Sequence, residues 1–225
     1  VSSGTFDGKT GNISFLFNSL STPKSVTIEE LSIQEDSFTP TAEGGWASGD
    51  YDRSTGMKGD GTSLYLNTNY QVPESDLNDT HIACHVTLAA TNAVHYKMGA
   101  YATTPAQNIT AFRGIGSGNL AIYNNSLAGA DAGSGRGNVT NFHGQSRSDS
   151  SSVTARVSNT SHSLSFPSTT VVPMPLFLFA TNLNNSGKFG GFDGRIAFYS
   201  AGTALDLAKL DSHVSSYVTA IGAAI

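Results

Sequence analysis

Three acidic residues stand close together at a spacing where paired carboxylates could act as general acid and base. Glu74, Asp76 and Asp79 follow Pro73 in the polar stretch Glu-Ser-Asp-Leu-Asn-Asp. Two carboxylates about 5–9.5 Å apart can cleave a glycosidic bond, one protonating the leaving oxygen while the other assists attack on the sugar. The proline and the polar neighbours indicate a solvated loop instead, which is the ordinary place for acidic side chains. We therefore expect no catalytic residue in this segment.

A pair of histidines lies four residues apart, with a cysteine between them. On a strand, this spacing places His81 and His85 on one face and Cys84 on the other. A zinc site needs three or four converging ligands, and His95 and His143 are the distant candidates. Because no fixed ligand spacing accompanies the pair, we expect neither a zinc site nor a cysteine nucleophile. We interpret Cys84 as a small buried hydrophobic residue.

Acidic turns offer oxygen ligands for a cation. Asp50, Asp52 and Asp60 lie in such turns, and Asn67 and Asn69 follow shortly after them. Carboxylate and amide oxygens are the ligands that Ca²⁺ prefers, so these three aspartates form a candidate calcium site. The chain lacks an Asp-x-Asp-x-Asp-Gly loop, and Asx hydrogen bonds that stabilise the turns are the alternative. We expect no other cofactor.

Aromatic residues at strand ends and in loops could bind sugars. A sugar ring can stack its apolar C–H face on an aromatic ring while polar side chains bind the hydroxyls. The candidate rings are Trp46, Tyr51, Tyr70, Tyr101 and Tyr123, and the candidate polar partners are Asp60, Arg113 and Arg147. The alternative is that each ring covers an edge of the hydrophobic core.

The composition is typical of one large domain built from many hairpins. The chain has 225 residues, 24 of them glycine, and only 13% are charged while 38% are hydrophobic. A net charge of −5 provides no basic surface for nucleic acid, so we expect no nucleic-acid partner. One cysteine cannot form an internal disulfide. No apolar run approaches the roughly 20 residues that span a bilayer, and we expect no membrane insertion.

The end of the chain has the clearest periodicity. Residues 195–199 are β-branched, aromatic or small and lie between Gly194 and Gly202, as expected of a buried strand. Apolar residues then recur at three- and four-residue spacing: Leu207, Leu210, Val214, Tyr217, Val218 and Ile221. This period predicts a helix from 204 to about 221 with one apolar stripe lying against a sheet.

Short alternating segments elsewhere predict the strands of a β-sandwich. Clusters of Gly, Asn and Ser separate these segments. The predicted strands are 81–90, 98–103, 109–115, 119–123, 138–143, 151–157 and 163–166. The most apolar segment, 171–180, is predicted to be a core strand with Pro173 and Pro175 near its start. Residues 1–40 are expected to be an N-terminal arm or extra strands, and 41–225 the sandwich domain, because Pro40 and a Gly-Gly pair mark a boundary.

Four segments carry a resemblance to a known family. Leu-Phe-Leu-Phe-Ala-Thr-Asn at 176–182 is followed by Gly-Arg-Ile-Ala-Phe-Tyr-Ser-Ala-Gly at 194–202 and the helix. Gly-Asp-Gly-Thr-Ser-Leu-Tyr-Leu-Asn-Thr-Asn-Tyr at 59–70 and Gly-Gln-Ser-Arg-Ser-Asp-Ser-Ser-Ser-Val at 144–153 complete the set. Together they resemble concanavalin A-like (laminin G-like) jelly-roll domains of the type found in bacteriophage tail fibres and virion appendages. The resemblance spans about residues 40–225. It implies an all-β jelly-roll β-sandwich of two antiparallel sheets with a C-terminal α-helix, and a concave face that often holds glycans.

The resemblance also implies a function. Catalytic relatives of this fold carry a Glu-x-Asp-x-x-Glu strand, which this chain lacks, so we expect no enzyme activity. We expect a non-catalytic component of a virus particle, a tail fibre or capsid decoration. It would bind other virion proteins and host surface glycan as a homo-oligomer such as a trimer, and would be located in the virion. Two alternatives stay open: a glycan-cleaving hydrolase or lyase of this fold, and a purely structural subunit-interaction domain.

Overall fold

A computed structural model describes residues 2–6, 9–15, 32–34, 41–103, 108–115 and 118–224. Before residue 41 only the backbone is described. The strands in these ranges are β1 Ser2–Phe6, β2 Lys9–Phe15, β3 Ser32–Gln34, β4 Thr41–Glu43, β5 Tyr51–Asp52, β6 Gly56–Lys58, β7 Tyr65–Asn67, β8 Thr80–Leu88, β9 His95–Ala102, β10 Asn108–Gly114, β11 Leu120–Tyr123, β12 Ala130–Asp131, β13 Asn141–Arg147, β14 Ser152–Val157, β15 Thr160–Ser165, β16 Phe177–Leu178, β17 Thr181–Leu183, β18 Lys188–Phe189 and β19 Arg195–Gly202. One α-helix, α1 Leu207–Ala224, follows them.

The strands form two sheets of mainly antiparallel strands. In the first sheet the order is β15-β14-β13-β8-β19-β2-β1-β3, with β6 also paired to β19 and β5 paired to β6. In the second sheet the order is β12-β11-β10-β9-β16-β7-β4. There, β17 runs parallel to β9 and also pairs with β18. The predicted all-β sandwich of two antiparallel sheets with a C-terminal helix is confirmed.

The main core lies between the two sheets. Alternate residues of β8, such as Ile82, Cys84 and Val86, point into it and are completely buried. From the second sheet, Phe112 and Leu178 point into it from the opposite side. This alternation follows from the two-residue repeat of a strand, which turns successive side chains to opposite faces.

The helix covers the outer face of the first sheet. Leu207, Leu210 and Val214 form a second buried cluster with Phe142 and Phe198 of the sheet. These helical positions are three and four residues apart, which is the apolar stripe that the sequence predicts. Among the described residues, no helix is long and apolar enough to cross a membrane.

The N-terminal strands extend the first sheet. β2 pairs with β19 from Phe15↔Phe198 to Gly11↔Gly202, and β1 pairs with both β2 and β3. Val26, Ile28 and Leu31, apolar residues of the same region, lie outside the described residues. The division at residue 40 stays a prediction, although the backbone pairing shows that the first strands share a sheet with the sandwich.

The prediction of a core strand over 171–180 is wrong in part. Val171, Val172, Met174 and Leu176 are buried as predicted, but only Phe177–Leu178 belongs to a strand. Two prolines at 173 and 175 lack the backbone N–H that a sheet ladder requires, so residues 171–176 pack on the core and only β16 joins the second sheet.

Candidate functional site

A β-bulge in β9 determines which side chains reach the outer face of the second sheet. Phe112 of β10 is paired with Met98, but the next residue, Arg113, is paired with Tyr96. Lys97 is therefore the extra residue on β9. An extra residue of this kind re-aims its neighbours. As a result, Lys97 and Met98 both point into the sandwich, whereas Tyr96 points outward beside Arg113.

The outer face of the second sheet carries a group of aromatic residues, here called the tyrosine surface. It consists of Tyr96, Tyr101 and Tyr123, with Arg113 and Phe189. Tyr101 and Tyr123 are half-buried and pack on a small cluster that includes Tyr96. The Phe189 ring centroid lies 6.0 Å from that of Tyr96, and Phe189 is 50% exposed. Four aromatic rings thus meet on a face that the other sheet does not cover.

Small residues run between these rings. The cross-strand row Phe177–Gly99–Ala111–Tyr123 places a glycine and an alanine between two aromatic residues. A Cβ at Gly99 would overlap the Ala111 methyl group, so the position requires glycine. On the far side of Gly99, Phe177 stacks on Tyr65 with ring centroids 4.6 Å apart. The aromatic groups on the two sides are therefore separated by residues with almost no side chain.

Arg113 is the charged residue of the tyrosine surface. Its guanidinium carbon lies 5.8 Å from the Tyr96 ring centroid, within range of a cation–π interaction. The Arg113 Nε is buried and has no hydrogen-bond partner among the described residues. Burial raises the pKa of Tyr96, while Arg113 opposes that change by favouring the phenolate.

The carboxylates on the outer face of this sheet lie at its two edges. Glu43 of β4 is paired with Tyr65 of β7, and Asp131 of β12 is paired with Ala121 of β11. Six strand spacings separate β4 from β12, which is about 29 Å at 4.8 Å per spacing. Paired carboxylates that cleave a glycosidic bond must lie within about 10 Å. The described strands of this face therefore provide stacking rings and a cation, which is chemistry for binding a sugar.

Three of the predicted sugar-binding residues meet on the tyrosine surface, and four do not. Tyr101, Arg113 and Tyr123 are brought together. Sequence reasoning missed Tyr96 and Phe189, because no local pattern shows the bulge that turns Tyr96 outward. The remaining predicted residues are Trp46, Tyr51, Asp60 and Arg147, which lie elsewhere in the fold.

These four side chains have structural contacts of their own. The Trp46 ring packs edge-on against Phe179, with centroids 5.3 Å apart, and Tyr51 belongs to β5 at the first sheet. Arg147 is completely buried inside the sandwich, where it donates hydrogen bonds to three backbone carbonyls. A buried guanidinium cannot reach a sugar at the surface, so the placement of Arg147 does not fit the prediction. Tyr70, another candidate ring, is also buried.

The candidate calcium ligands are engaged in turns. The Asp60 carboxylate accepts the backbone N–H groups of the residues two, three and four positions later. Asp52 accepts N–H and O–H groups of Ser54 and Thr55, which lower the pKa of its carboxyl to about 2. Asp50 accepts the backbone N–H of Ala47. Within the described ranges, no three His, Cys, Asp or Glu side chains converge as metal ligands. The turn hydrogen bonds account for these aspartates.

The histidine pair and Cys84 lie on opposite faces of β8, as the spacing predicts. His81 faces the helix side, where its ring contacts the Thr203 carbonyl and the Ser200 hydroxyl. Cys84 lies in the main core, and burial raises the pKa of its thiol to about 12. A thiol with so high a pKa is protonated at neutral pH, so Cys84 is a poor nucleophile there.

Three basic side chains lie together inside the sandwich. The Lys97 ammonium donates to the Gly137 carbonyl at 2.6 Å and lies 3.4 Å from His95 Nε2. His143 is also completely buried, and the charge of Lys97 adds to burial in lowering its pKa. Because Lys97, His95 and His143 are all inaccessible to solvent, this cluster cannot meet a substrate in the described conformation.

The acidic segment after Pro73 is a surface turn, as predicted. Glu74–Asp76 forms one 3₁₀ turn without buried residues. Asp79, a few residues later, accepts the backbone N–H of Ala204 at 2.8 Å and so connects this turn to the segment before the helix. This hydrogen bond gives Asp79 a structural role.

A surface depression lies where the helix begins, on the side of the molecule opposite the tyrosine surface. It has a volume of about 370 Å³ and is lined by hydroxyl groups of Ser146, Thr154 and Ser161 together with the first turn of α1. Asp206 already caps that turn by accepting the N–H groups of Ala208 and Lys209. The lining of this depression has no aromatic ring, and its carboxylate, Asp206, is engaged as the cap of the helix.

Comparisons with known proteins place the fold. No family model matches the chain, and no curated protein is similar to it in sequence. Among solved structures, a mutant of Trypanosoma rangeli sialidase displaying trans-sialidase activity matches with a TM-score of 0.52 and 11% identity, over 75% of this chain and 28% of that chain. The same sialidase in complex with 2,3-difluoro-KDN matches with a TM-score of 0.52 and 10% identity, over 77% and 29%. Leech intramolecular trans-sialidase matches with a TM-score of 0.46 and 13% identity, over 69% and 26%. The chain thus spans less than a third of the length of these proteins, and the likeness shows the fold.

These matches correct the function that the sequence predicts. The expectation of a non-catalytic virion component, tail fibre or capsid decoration is wrong, because solved structures that share this fold, with TM-scores of 0.52, are forms of a sialidase. No comparison connects the chain with a bacteriophage. The expectation that the protein is not an enzyme is overturned by the same matches.

Proposed function

We propose that this β-sandwich recognises glycan for a glycan-processing enzyme and that the tyrosine surface binds the sugar. The observation that carries the proposal is the grouping of Tyr96, Tyr101 and Tyr123 around Arg113 on the outer face of the second sheet. Aromatic faces and a few polar groups in one place are what sugar recognition needs, because a sugar ring has both apolar C–H faces and hydroxyls.

The state of these side chains supports binding. The hydroxyls of Tyr101 and Tyr123 have no hydrogen-bond partner among the described residues, so they remain available to sugar hydroxyls. Tyr101 and Tyr123 are half-buried, and their rings are held by packing on the sheet. A ring that is already ordered loses little conformational entropy when it binds, which favours affinity.

The enzyme part of the proposal is supported by the fold alone. Sialidases share this sandwich over a segment of less than a third of their length. On the described outer face the carboxylates are about 29 Å apart, too far for joint acid–base catalysis. The described strands of this face therefore offer no pair of carboxylates, and we assign glycan recognition to this surface.

A glycan array followed by calorimetry tests the binding role. Tyr101→Ala and Tyr123→Ala are each expected to weaken binding of the best array glycan by roughly 2- to 12-fold, the range for one aromatic contact. Tyr51→Ala is the matched control, because Tyr51 is a half-buried tyrosine associated with the first sheet. Binding that is unchanged in both surface variants, or that is lost equally in the control, would contradict the assignment.

Release of reducing ends from the same glycans tests the enzyme role. The assay is run on the intact protein with each glycan that binds on the array. Release that falls in proportion to binding in Tyr123→Ala is the expected result. Tight binding without any release would contradict the enzyme part and leave the binding part intact.

A further inference from the structure

The Arg113 side chain has a buried hydrogen-bond donor that the described structure leaves unused. Its Nε is shielded from water and makes no hydrogen bond, and no described hydrogen bond or ion pair involves the rest of its guanidinium. A buried polar group without a partner is costly, and the cost is larger for a charged group. The two amino groups of the guanidinium are not shielded in this way, because Arg113 is only half-buried, and they are the donors that an acceptor on a ligand can reach.

Neighbouring residues do not neutralise Arg113 within the described part of the chain. Asp131 is two strands away on the same face, but Asn119 and the backbone N–H of Gly133 donate to its carboxylate. The contacts of Arg113 on its other side are aromatic, with Tyr96 directly opposite on β9. The protein has a net charge of −5, yet this surface presents a cation among tyrosines.

The register places Arg113 next to a stacking ring. Arg113 is directly opposite Ala121 on β11, and Tyr123 is two residues further along that strand on the same face. Diagonal neighbours of this kind are about 7–8 Å apart. A sugar ring lying on Tyr123 would therefore bring a charged substituent within reach of the guanidinium.

We propose that Arg113 binds a negatively charged group on the glycan, so that the tyrosine surface selects anionic glycans over neutral ones. The proposal rests on the proposed function and names its substrate class. The guanidinium fork matches two oxygens of one oxyanion, and such charge-assisted pairs are stronger than hydrogen bonds between neutral groups. A carboxylate of an acidic sugar and a sulfate ester both offer this geometry. The β-bulge contributes to this preference for anionic glycans, because it sets Tyr96 opposite Arg113. The Tyr96 ring then holds the guanidinium by a cation–π contact.

Matched pairs of charged and neutral glycans test the proposal. The probes are 3′-sialyllactose and oligogalacturonate, each beside its methyl ester, and a sulfated lactose beside lactose. We expect at least one charged probe to bind about 10- to 100-fold more tightly than its neutral counterpart, the range for hydrogen bonds to a charged group. Its affinity should also fall as salt is raised, because a half-buried ion pair is partly screened.

Variants at Arg113 separate the charge from the fork. Arg113→Gln should bring the affinity ratio between a charged probe and its neutral partner close to one. Arg113→Lys keeps the charge without the fork and should give an intermediate ratio. Arg53→Gln, an exposed arginine between β5 and β6, is the control and should leave the ratio unchanged. Thermal unfolding of each variant confirms that it is folded.

The outcomes distinguish this proposal from the proposed function. Preference for carboxylated probes identifies an acidic sugar, and preference for the sulfated probe identifies a sulfate ester. Equal binding of charged and neutral probes would overturn the role of Arg113 and leave the glycan-binding role standing. A preference for charged probes that survives in Arg113→Gln would also overturn it. No binding of any probe or array glycan would refute both.

Discussion

Replacing Lys97 with methionine is expected to stabilise the protein at neutral pH. Lys97 is completely buried between the sheets and has no ion-pair partner among the described residues. Burial lowers the pKa of its ammonium from 10.5 to about 8, so the folded state holds a charge that it disfavours. A methionine of similar length would fill the space without that charge.

The size of the effect follows from the pKa. A fall from 10.5 to about 8 corresponds to about 3 kcal/mol of destabilisation when the amine is charged, at 1.36 kcal/mol per pKa unit. The variant loses the hydrogen bond to the Gly137 carbonyl, worth about 1 kcal/mol. We therefore expect Lys97→Met to gain about 2 kcal/mol at pH 7, which raises Tm by about 4–8 °C.

The dependence on pH provides the sharper test. Between pH 8 and 10.5 the unfolded state binds the lysine proton and the folded state does not. The free energy of unfolding of the wild type therefore rises with pH in this range. The advantage of Lys97→Met should be full below pH 8 and disappear by pH 10.5. Cys84 acts in the opposite direction above pH 9, because its thiol stays protonated in the folded state, but both proteins contain it.

Urea unfolding of both proteins from pH 6 to 10.5 measures this difference. Lys58→Met, at an exposed lysine of β6, is the control and should change stability by no more than about 0.5 kcal/mol at pH 7. If Lys97→Met is less stable than wild type at pH 7, or if the difference between them does not shrink as pH rises, a carboxylate or a ligand neutralises Lys97 and the reasoning fails.

Three further predictions concern stability. Leu210→Asp should prevent folding, because it places a carboxylate in the buried cluster under the helix. The control Ser216→Asp, at an exposed helical position, should fold. A cooperative thermal transition of Leu210→Asp near the wild-type Tm would contradict the packing of the helix on the core. Burial lowers the pKa of His81 to about 4, so this group costs stability as pH falls from 6.5 to 4; that loss should be about 3 kcal/mol smaller in His81→Gln, and identical pH profiles would count against it. Gly59→Ala should lose about 1–3 kcal/mol in urea unfolding, because a Cβ there overlaps a carbonyl oxygen of the facing loop, while Gly49→Ala, with open space around it, should be close to neutral; equal midpoints would refute the overlap.

Most of the secondary structure could be predicted from the sequence because burial follows local periodicity. The helical stripe from Leu207 to Val218 appears in the structure as predicted. The segment 171–180 was predicted less well, since an apolar run indicates burial but does not show whether the backbone joins a ladder. Its two prolines decided that question against a strand.

The candidate site could be predicted only in part. Tyr101, Arg113 and Tyr123 were recognised as aromatic and cationic residues suited to sugar, and the structure brings them together. Arg147 is also a cationic residue suited to binding sugar hydroxyls, but it lies inside the sandwich. A strand position alternates between two faces, and sequence alone does not tell which face a polar residue on a sandwich strand will occupy.

The sequence by itself determined the fold class, because two-residue and 3.6-residue repeats of apolar side chains can be buried only as strands in a sandwich and as a helix lying on one sheet. The tertiary structure alone decided the tyrosine surface. The pairing of β9 with β10 inserts Lys97 as an extra residue, which turns that lysine into the core and Tyr96 out beside Arg113. Such a register shift depends on contacts between strands that are distant along the chain or separated by a loop, and the residues of β9 alone do not reveal it.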